Sequence, residues 1–161
     1  MNNSLELNEH IKDIVHRYSI TVLKVAFSYL KNTADTEDIA QEVFLAYMDK
    51  RPSIESEEHL KAWLIRVTIN KCKNYLKSGW FKSINPIPDN LSYMPKEDNE
   101  LLNAVLSLDV KYRIPIHLFY YENYSINEIA DILKARPATI GTRLARGRKI
   151  LKDMIGGLED E

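Results

Sequence analysis

The sequence predicts an all-α protein made of two small helical domains joined by a flexible linker, the second domain carrying a helix-turn-helix. Apolar residues recur at helical spacing along nearly the whole chain and almost nowhere alternate as they would in a strand. The stretch 83–99 breaks this spacing and contains three prolines, as linkers do. We therefore expect a first domain at 1–82, a linker at 83–99 and a second domain at 100–161.

Three helices are predicted in the first domain. The first covers 5–30, where one apolar face persists over the whole stretch. The second covers about 36–49, and Asp35 is expected to be its N-cap because an Asp side chain accepts hydrogen bonds from free backbone N–H groups. Ser56 is expected to cap a long third helix that reaches about Ser78 and ends where a glycine follows.

Four helices are predicted in the second domain, at about 100–107, 110–121, 125–133 and 137–155. Pro115 falls inside the second of them and predicts a kink or an irregular turn. Ser125 and Glu128 have capping-box spacing, and Pro137 suits the first turn of the last helix because it lacks an N–H group. The last two helices, joined by a turn of about three residues, therefore form a helix-turn-helix, whose second helix normally enters the DNA major groove.

Composition excludes several classes of protein. No apolar run approaches the roughly 20 residues of a membrane span, and the N-terminus resembles no secretory signal, so we expect a cytoplasmic protein without membrane insertion. Cys72 is the single cysteine, which excludes an internal disulfide and favours a buried thiol. We find no nucleophile–base pair, phosphate-binding glycine loop or metal-ligand spacing, so we expect neither an enzyme nor a cofactor nor a metal site.

Charge is distributed unevenly along the chain, although the net charge is only -1. The segment 60–82 holds six cations and no acid, and the segment 134–152 holds seven cations and no acid. The segment 35–58 holds eight acids against two cations. Basic segments of this density commonly meet polyanions, while a solvated helix face is the plainer alternative. The chain is therefore expected to present two basic surfaces and one acidic surface.

The predicted third helix divides into an apolar stripe and a polar set. Apolar packing is assigned to Leu60, Trp63, Leu64, Val67 and Tyr75. The polar positions that could face nucleic acid are Lys61, Arg66, Asn70, Lys73, Asn74 and Lys77. Asn amides offer donors and an acceptor to a base edge, so such a helix can hold exposed bases as well as phosphates. Trp63 could act as a stacking platform, but its place in the apolar stripe favours core packing.

The last helix presents a core face and an opposite face that is available for DNA. A helical wheel places Ile140, Leu144, Gly147, Leu151 and Met154 toward the core. The outer arc holds Ala138, Gly141, Thr142, Ala145, Arg146 and Lys149, with Arg148 at its edge, while Arg136 and Thr139 lie near the helix start. Cations on this arc can neutralise phosphates. In the second helix, the carboxylates Asp35, Asp38 and Glu42, with Gln41, are best interpreted as a protein-binding face.

These segments resemble the extracytoplasmic function (ECF) group of bacterial RNA polymerase sigma factors over nearly the whole chain. The polymerase-docking helix of that family is similar to 35–44, DTEDIAQEVF. Its helix for melting and reading the minus-ten element is similar to 62–70, AWLIRVTIN, with NYL at 74–76. Its domain for the minus-thirty-five element is similar to YR at 112–113, YSINEIADIL at 124–133 and TIGTRLARGR at 139–148. Three motifs in order are more specific than any one of them.

The resemblance implies three sites and three partners: core RNA polymerase, promoter DNA as duplex and as melted nontemplate strand, and an anti-sigma factor. Polymerase binding would fall to Asp35, Asp38, Gln41 and Glu42. The minus-ten element would be held by His59, Lys61, Arg66, Asn70, Lys73, Asn74 and Lys77. The minus-thirty-five element would be bound by Arg136, Thr139, Gly141, Thr142, Ala145, Arg146, Arg148 and Lys149. The expected activity is promoter-specific initiation of transcription.

The sequence departs from the family pattern at positions that bear on geometry and on base reading. Lys134 stands in the turn where Gly is frequent, and Asp109 stands where Pro is common. Gly141 and Ala145 stand where relatives often carry base-reading side chains, which favours phosphate contacts and DNA shape upstream. Two alternatives stay open: a free-standing helix-turn-helix regulator, which leaves the acidic helix unused, and a purely protein-binding helical adaptor.

Overall fold

The computed structural model describes residues 2–78 and 99–159, and this described part is helical with no β-strand, which confirms the all-α class. The chain divides into two compact units, Met1–Ile87 and Pro88–Glu161. The stretch 83–98 of the expected linker lies outside the described residues, as do Gly79 and Trp80.

Unit one is a three-helix bundle of α1 (Asn2–Leu30), α2 (Thr33–Lys50) and α3 (Glu57–Lys77), in which every helix packs against the other two. Its core is formed by Ile14, Val22, Val25, Ala26, Phe27, Tyr29, Leu30, Ile39, Ala40, Val43, Phe44, Leu60, Leu64, Ile65, Ile69 and Cys72. Burying each large apolar side chain contributes about 1.5–3 kcal/mol, so the core rather than helix propensity holds these helices together.

The start of α2 differs from the prediction. Asn32, not Asp35, is the N-cap: its backbone is extended, and its side chain accepts a hydrogen bond from the Asp35 N–H at 3.1 Å. The helix therefore begins three residues earlier, at Thr33, and Asp35 lies in its first turn, where the helix dipole favours a negative charge. The predicted cap of α3 is confirmed, since the Ser56 hydroxyl accepts a hydrogen bond from the His59 N–H at 3.1 Å.

Unit two contains α4 (Asn99–Ser107), α5 (Val110–Ile116), a π-helical turn (His117–Tyr121), α6 (Ile126–Leu133) and α7 (Pro137–Glu159). The long α7 packs against α4, α5 and α6 and so organises the unit. Its core is formed by Val105, Leu106, Leu108, Ile114, Ile116, Leu118, Ile129, Ala130, Ile132, Ile140, Leu144 and Leu151. Helix α7 continues four residues past its predicted end, and Met154, assigned to the core face, is 40% exposed.

The irregular turn predicted from Pro115 is present. Pro115 lies in α5, and the π-helical turn follows directly, with the Glu122 N–H donating to the His117 carbonyl oxygen at 3.2 Å. A proline interrupts the regular backbone hydrogen-bond ladder because it has no N–H to donate. Arg113, on the same helix, is buried and donates to the carbonyl oxygen of Leu108 at 2.7 Å, which satisfies an acceptor beyond the end of α4.

Candidate nucleic-acid and protein interfaces

An acidic surface lies on the outer face of α2. Asp38, Gln41 and Glu42 are exposed, and their spacing of three and four residues places them on one side of the helix. Asp35 is half-buried and faces α3, where it forms a hydrogen bond with the Tyr75 hydroxyl. The pKa of this hydroxyl is raised mainly by burial and next by the hydrogen bond to Asp35. The first three side chains are thus open to a partner, whereas Asp35 also links two helices of the bundle.

Sequence reasoning missed an apolar residue on this acidic surface. Leu45 is 60% exposed and follows Glu42 by three residues, so both lie on the same side of α2. Met48, one turn further, is 39% exposed. The sequence could have predicted this apolar contact surface, because Leu45 and Met48 follow Gln41 at spacings of four and three residues on the exposed side of α2.

A polar surface lies along α3. Asn70, Lys73, Asn74 and Lys77 are exposed, while His59 and Arg66 are half-buried. With 3.6 residues per turn, these six positions fall within an arc of about 100°. Lys61 does not share this face: it lies about 140° around the helix from Arg66, and it is half-buried. The structure therefore brings together six of the seven residues expected to meet the minus-ten element.

Trp63 lies beside the polar surface of α3 and only partly in the core. It is half-buried, as is Val67, whereas the fully packed side of the helix is formed by Leu64, Ile65, Thr68, Ile69 and Cys72. The Trp63 and Tyr47 rings meet edge to face, with centroids 5.7 Å apart and planes at 73°. The predicted core packing of Trp63 is therefore only partial.

Cys72 is confirmed as a buried thiol. Its side chain is fully enclosed in the core of unit one, and burial raises the pKa of the thiol to about 12 because the charged thiolate is disfavoured away from water. Thr68, one turn earlier, is buried too and donates to the Leu64 carbonyl oxygen at 2.7 Å. This side of α3 serves packing.

The helix-turn-helix has the predicted local geometry. The Ser125 hydroxyl accepts from the Glu128 N–H at 3.1 Å, and the Glu128 carboxylate accepts from the Ser125 N–H at 3.0 Å, which completes the capping box. Lys134 ends α6 in the left-handed conformation with φ of 55°, and Pro137 is the first residue of α7. A left-handed residue at this point explains why glycine suits the turn.

The outer face of α7 carries cations on one side and small residues on the other. The exposed side chains are Thr142, Ala145, Arg146 and Lys149 on the helix, with Arg136 just before it. Thr139 and Gly141 are half-buried, and a Cβ added to Gly141 would meet no atom within 4 Å. The face therefore offers phosphate-binding groups along one side and room for close backbone approach along the other, at Gly141.

Arg148 is turned toward the π-helical turn of unit two instead of the outer face. Its Nη1 donates to the Tyr120 hydroxyl at 3.1 Å. Arg148 also lines a cavity of about 360 Å³, together with Leu101, Val105, Ile116, Tyr120, Tyr121 and Leu151. This contact separates Arg148 from Arg146 and Lys149, with which the sequence had grouped it.

No group of three or more His, Cys, Asp and Glu side chains in residues 2–78 and 99–159 could hold a metal ion. None of the helices described combines the length and the apolar character that a membrane span requires.

Comparison with known proteins identifies the family. A sigma-70 region 2 model matches residues 14–81, and a sigma-70 region 4 model matches residues 98–151. The RNA polymerase sigma factor SigV of Bacillus subtilis is 27% identical over 136 residues, covering 80% of this chain and 81% of that protein. The ECF RNA polymerase sigma factor SigW of the same organism is 26% identical over 166 residues, covering 91% and 89%. The chain belongs to the ECF group of the sigma-70 family.

The two family matches cover all three predicted sites of this ECF family member. Region 2 includes α2 and α3, and region 4 includes the helix-turn-helix. The sigma factor RpoE from Bartonella quintana, solved in complex with the anti-sigma factor NepR, has a TM-score of 0.75 at 21% identity, covering 92% of this chain and 98% of that chain. This likeness shows the fold. The two family matches confirm the resemblance that the three sequence motifs indicated.

Proposed function

We infer that this chain is an RNA polymerase sigma factor that binds core polymerase and directs promoter-specific initiation of transcription. The observation that carries this inference is that one chain, matched by the models of regions 2 and 4, presents an acidic helix face on α2 and cation-bearing faces on α3 and α7. It acts in the cytoplasm as an initiation factor and catalyses no reaction of its own.

We propose that the acidic surface of α2 binds the clamp helices of the largest polymerase subunit. Asp38 and Glu42 supply charge, and exposed Leu45 supplies an apolar contact between them and Met48. Charge reversal of Asp38 to Lys should weaken core binding at least roughly tenfold, since placing like charges opposite each other in an interface costs several kcal/mol of binding free energy. Glu37→Lys is the matched control, because Glu37 is an exposed acid about 100° away on the same helix.

We propose that the polar surface of α3 holds melted minus-ten DNA, with Asn70 and Asn74 reading bases and Lys73 and Lys77 contacting phosphates. Asn70→Asp keeps the shape and removes the amide donors, so it should change base preference at one minus-ten position. Lys61→Ala removes a cation that lies away from this surface and should leave that preference intact. Promoter-library transcription measures both outcomes, and an equal effect of the two changes would count against the assignment.

We propose that the outer face of α7 binds the duplex of the minus-thirty-five element through Arg136, Thr139, Thr142, Arg146 and Lys149. Each cation that neutralises a phosphate contributes about 0.9 to the slope of log K against log salt concentration. Arg146→Ala should therefore reduce that slope by about one and weaken binding to all upstream sequences alike. Gly141→Arg places a long side chain on the small-residue side of the face, and unchanged upstream selectivity would show that this side does not meet DNA.

We propose an anti-sigma factor as a further partner. The solved neighbour from Bartonella quintana is a sigma factor held by an anti-sigma factor, and this chain shares its fold. A protein that releases this chain from core polymerase when added in stoichiometric amount would identify the partner.

One experiment tests the function as a whole. Purified core polymerase transcribes a promoter library with and without this chain, and the activated start regions are then aligned. New starts that share upstream and minus-ten sequences are the expected result. Tight binding to promoter duplex without any binding to core polymerase would instead favour a free-standing regulator.

A further inference from the structure

We propose that the cavity of unit two binds a small amphipathic carboxylic acid, whose carboxylate pairs with Arg148 and whose hydrocarbon chain is enclosed by the apolar lining. The lining residues come from α4, α5, the π-helical turn and α7. They include neither Arg146 nor Lys149, the cations of α7 proposed to meet duplex DNA. The site therefore gives α7 a role beyond the proposed function.

The size of the cavity suits a ligand of about twelve non-hydrogen atoms. Its volume of about 360 Å³ lies within the range of small-molecule sites, roughly 300–1,000 Å³. A water-sized group occupies about 30 Å³ in a liquid, so the cavity has room for about twelve such groups. A saturated acid with about ten carbons and two carboxylate oxygens therefore matches the cavity in size.

The buried part of the lining is apolar. Val105, Ile116 and Leu151 are buried, and Leu101 of α4 is half-buried beside them. Aliphatic side chains offer no hydrogen bond to water, so water against them is held poorly, and its displacement by an apolar group increases affinity. These side chains therefore favour a hydrocarbon chain.

The polar groups of the lining are exposed to solvent. Arg148 and Tyr120 are both exposed, and Nη1 of Arg148 donates to the Tyr120 hydroxyl at 3.1 Å, which restrains the guanidinium. A guanidinium carries further N–H donors in a planar fork that matches a carboxylate, and a phenol that accepts one hydrogen bond can still donate its own proton. The two side chains can therefore bind the same carboxylate.

The charge of the lining favours an anion. Among the lining residues within the described part of the chain, Arg148 is the one ionic side chain, and no acid opposes it. A few convergent polar groups beside an apolar enclosure are typical of sites that bind and orient a small ligand. An inorganic anion would leave the apolar lining unused, and a neutral hydrocarbon would leave the guanidinium unused. An amphipathic acid uses both.

The test titrates decanoate into the full chain by isothermal titration calorimetry, at concentrations below those at which decanoate forms micelles. Arg148→Met keeps an unbranched apolar side chain and removes the charge, so the affinity should fall at least roughly tenfold, as loss of a hydrogen bond to a charged group predicts. Arg146→Met is the matched control, because it removes an exposed cation of the same helix that does not line the cavity. It should bind decanoate as the wild type does.

Two further measurements test the chain and the carboxylate separately. Decan-1-ol keeps the hydrocarbon and lacks the charge, so it should bind the wild type at least roughly tenfold more weakly than decanoate. Leu101→Trp fills part of the cavity from α4 and should shift the preference from decanoate to the shorter hexanoate. The thermal midpoint of each variant without ligand shows that it is folded.

Three results would overturn the proposal. The first is the absence of saturable binding of decanoate to the wild type. The second is an equal loss of affinity in Arg148→Met and Arg146→Met, which would show attraction to the overall charge of α7. The third is equal affinity for decanoate and decan-1-ol, which would show an apolar cavity without a carboxylate site. Calorimetry uses the chain without polymerase or promoter, so none of these results depends on the proposed function.

Discussion

The guanidinium of Arg17 donates a hydrogen bond to the carboxylate of Glu57 at 2.7 Å and so joins α1 to the first turn of α3. Tyr18 donates to the same carboxylate, and Asp13 holds Arg17 from one turn earlier at 2.9 Å. The hydrogen bond from Arg17 is the main cause that lowers the pKa of Glu57, and the hydrogen bond from Tyr18 is the second. This surface network links two helices that are separated by a whole helix in sequence.

The lowered pKa predicts how acid affects unit one. A carboxyl group with a lowered pKa in the folded state stabilises the fold above its ordinary pKa of about 4.3, and this stabilisation is lost as the pH falls through the folded-state value. Glu57→Gln should therefore be less stable than the wild type at pH 7 and should lose less stability between pH 5 and pH 3. Urea unfolding at these pH values measures both effects. Glu58→Gln, at the exposed neighbouring acid, is the control, and an equal response in that variant would contradict the prediction.

The thiol of Cys72 should be inert in the folded protein. It is fully buried, and its pKa is raised to about 12, so at pH 8 it is neither accessible nor ionised. Reaction with a thiol reagent should be at least about 1,000-fold slower than in urea-unfolded protein, because a free energy of unfolding near 5 kcal/mol leaves few molecules open. Rapid labelling under native conditions would contradict the burial.

The same thiol predicts a loss of stability at high pH. A group whose pKa is raised by burial stays neutral in the folded state, while the unfolded chain ionises above about pH 8.5 and gains stability. The urea midpoint of unit one should therefore fall between pH 8.5 and pH 10.5. Cys72→Ala removes the contribution of the thiol to this pH dependence. The prediction is refuted if the urea midpoints of the wild type and of Cys72→Ala fall equally with pH in this window.

Two glycines of α7 offer a matched pair of substitutions. Gly141→Ala meets open space and should stabilise unit two by about 0.5–1 kcal/mol, because Ala has the higher helix propensity. Gly147→Ala places a Cβ 3.1 Å from Cγ1 of Ile116 and 3.4 Å from Cβ of Tyr112. This crowding costs about 1–3 kcal/mol and opposes the gain in helix propensity. Denaturant unfolding should rank Gly141→Ala above Gly147→Ala, and equal stabilities would show that the core around Ile116 relaxes freely.

The turn of the helix-turn-helix should gain stability from glycine. Lys134 adopts a left-handed backbone conformation with φ of 55°, which costs a residue with a Cβ about 1–2 kcal/mol. Lys134→Gly should raise the free energy of unfolding of unit two by about 0.5–1 kcal/mol, after the greater freedom of glycine in the unfolded chain is subtracted. Lys152→Gly, the same change within the exposed face of right-handed α7, should lower it by about 1 kcal/mol. Two changes of the same sign would contradict the role of φ.

Features encoded within a few residues could be predicted from the sequence. The cap of α3 at Ser56, the capping box of Ser125 and Glu128, and the irregular turn after Pro115 all depend on contacts between residues at most five apart. Helical periodicity likewise fixes the exposed face of α2, and a wheel alone separates Lys61 from Arg66. The family motifs are local as well, which is why the sequence identified the family before any contact was known.

Features that depend on which helices meet were decided by the tertiary structure. Trp63 belongs to an apolar stripe, yet its place at the rim follows from its contact with Tyr47 on α2. Arg148 belongs to the cationic arc of α7, yet its hydrogen bond to Tyr120 turns it toward the π-helical turn. Spacing along one helix defines a direction around that helix only, whereas burial and hydrogen-bond partners depend on the neighbouring element that occupies that direction.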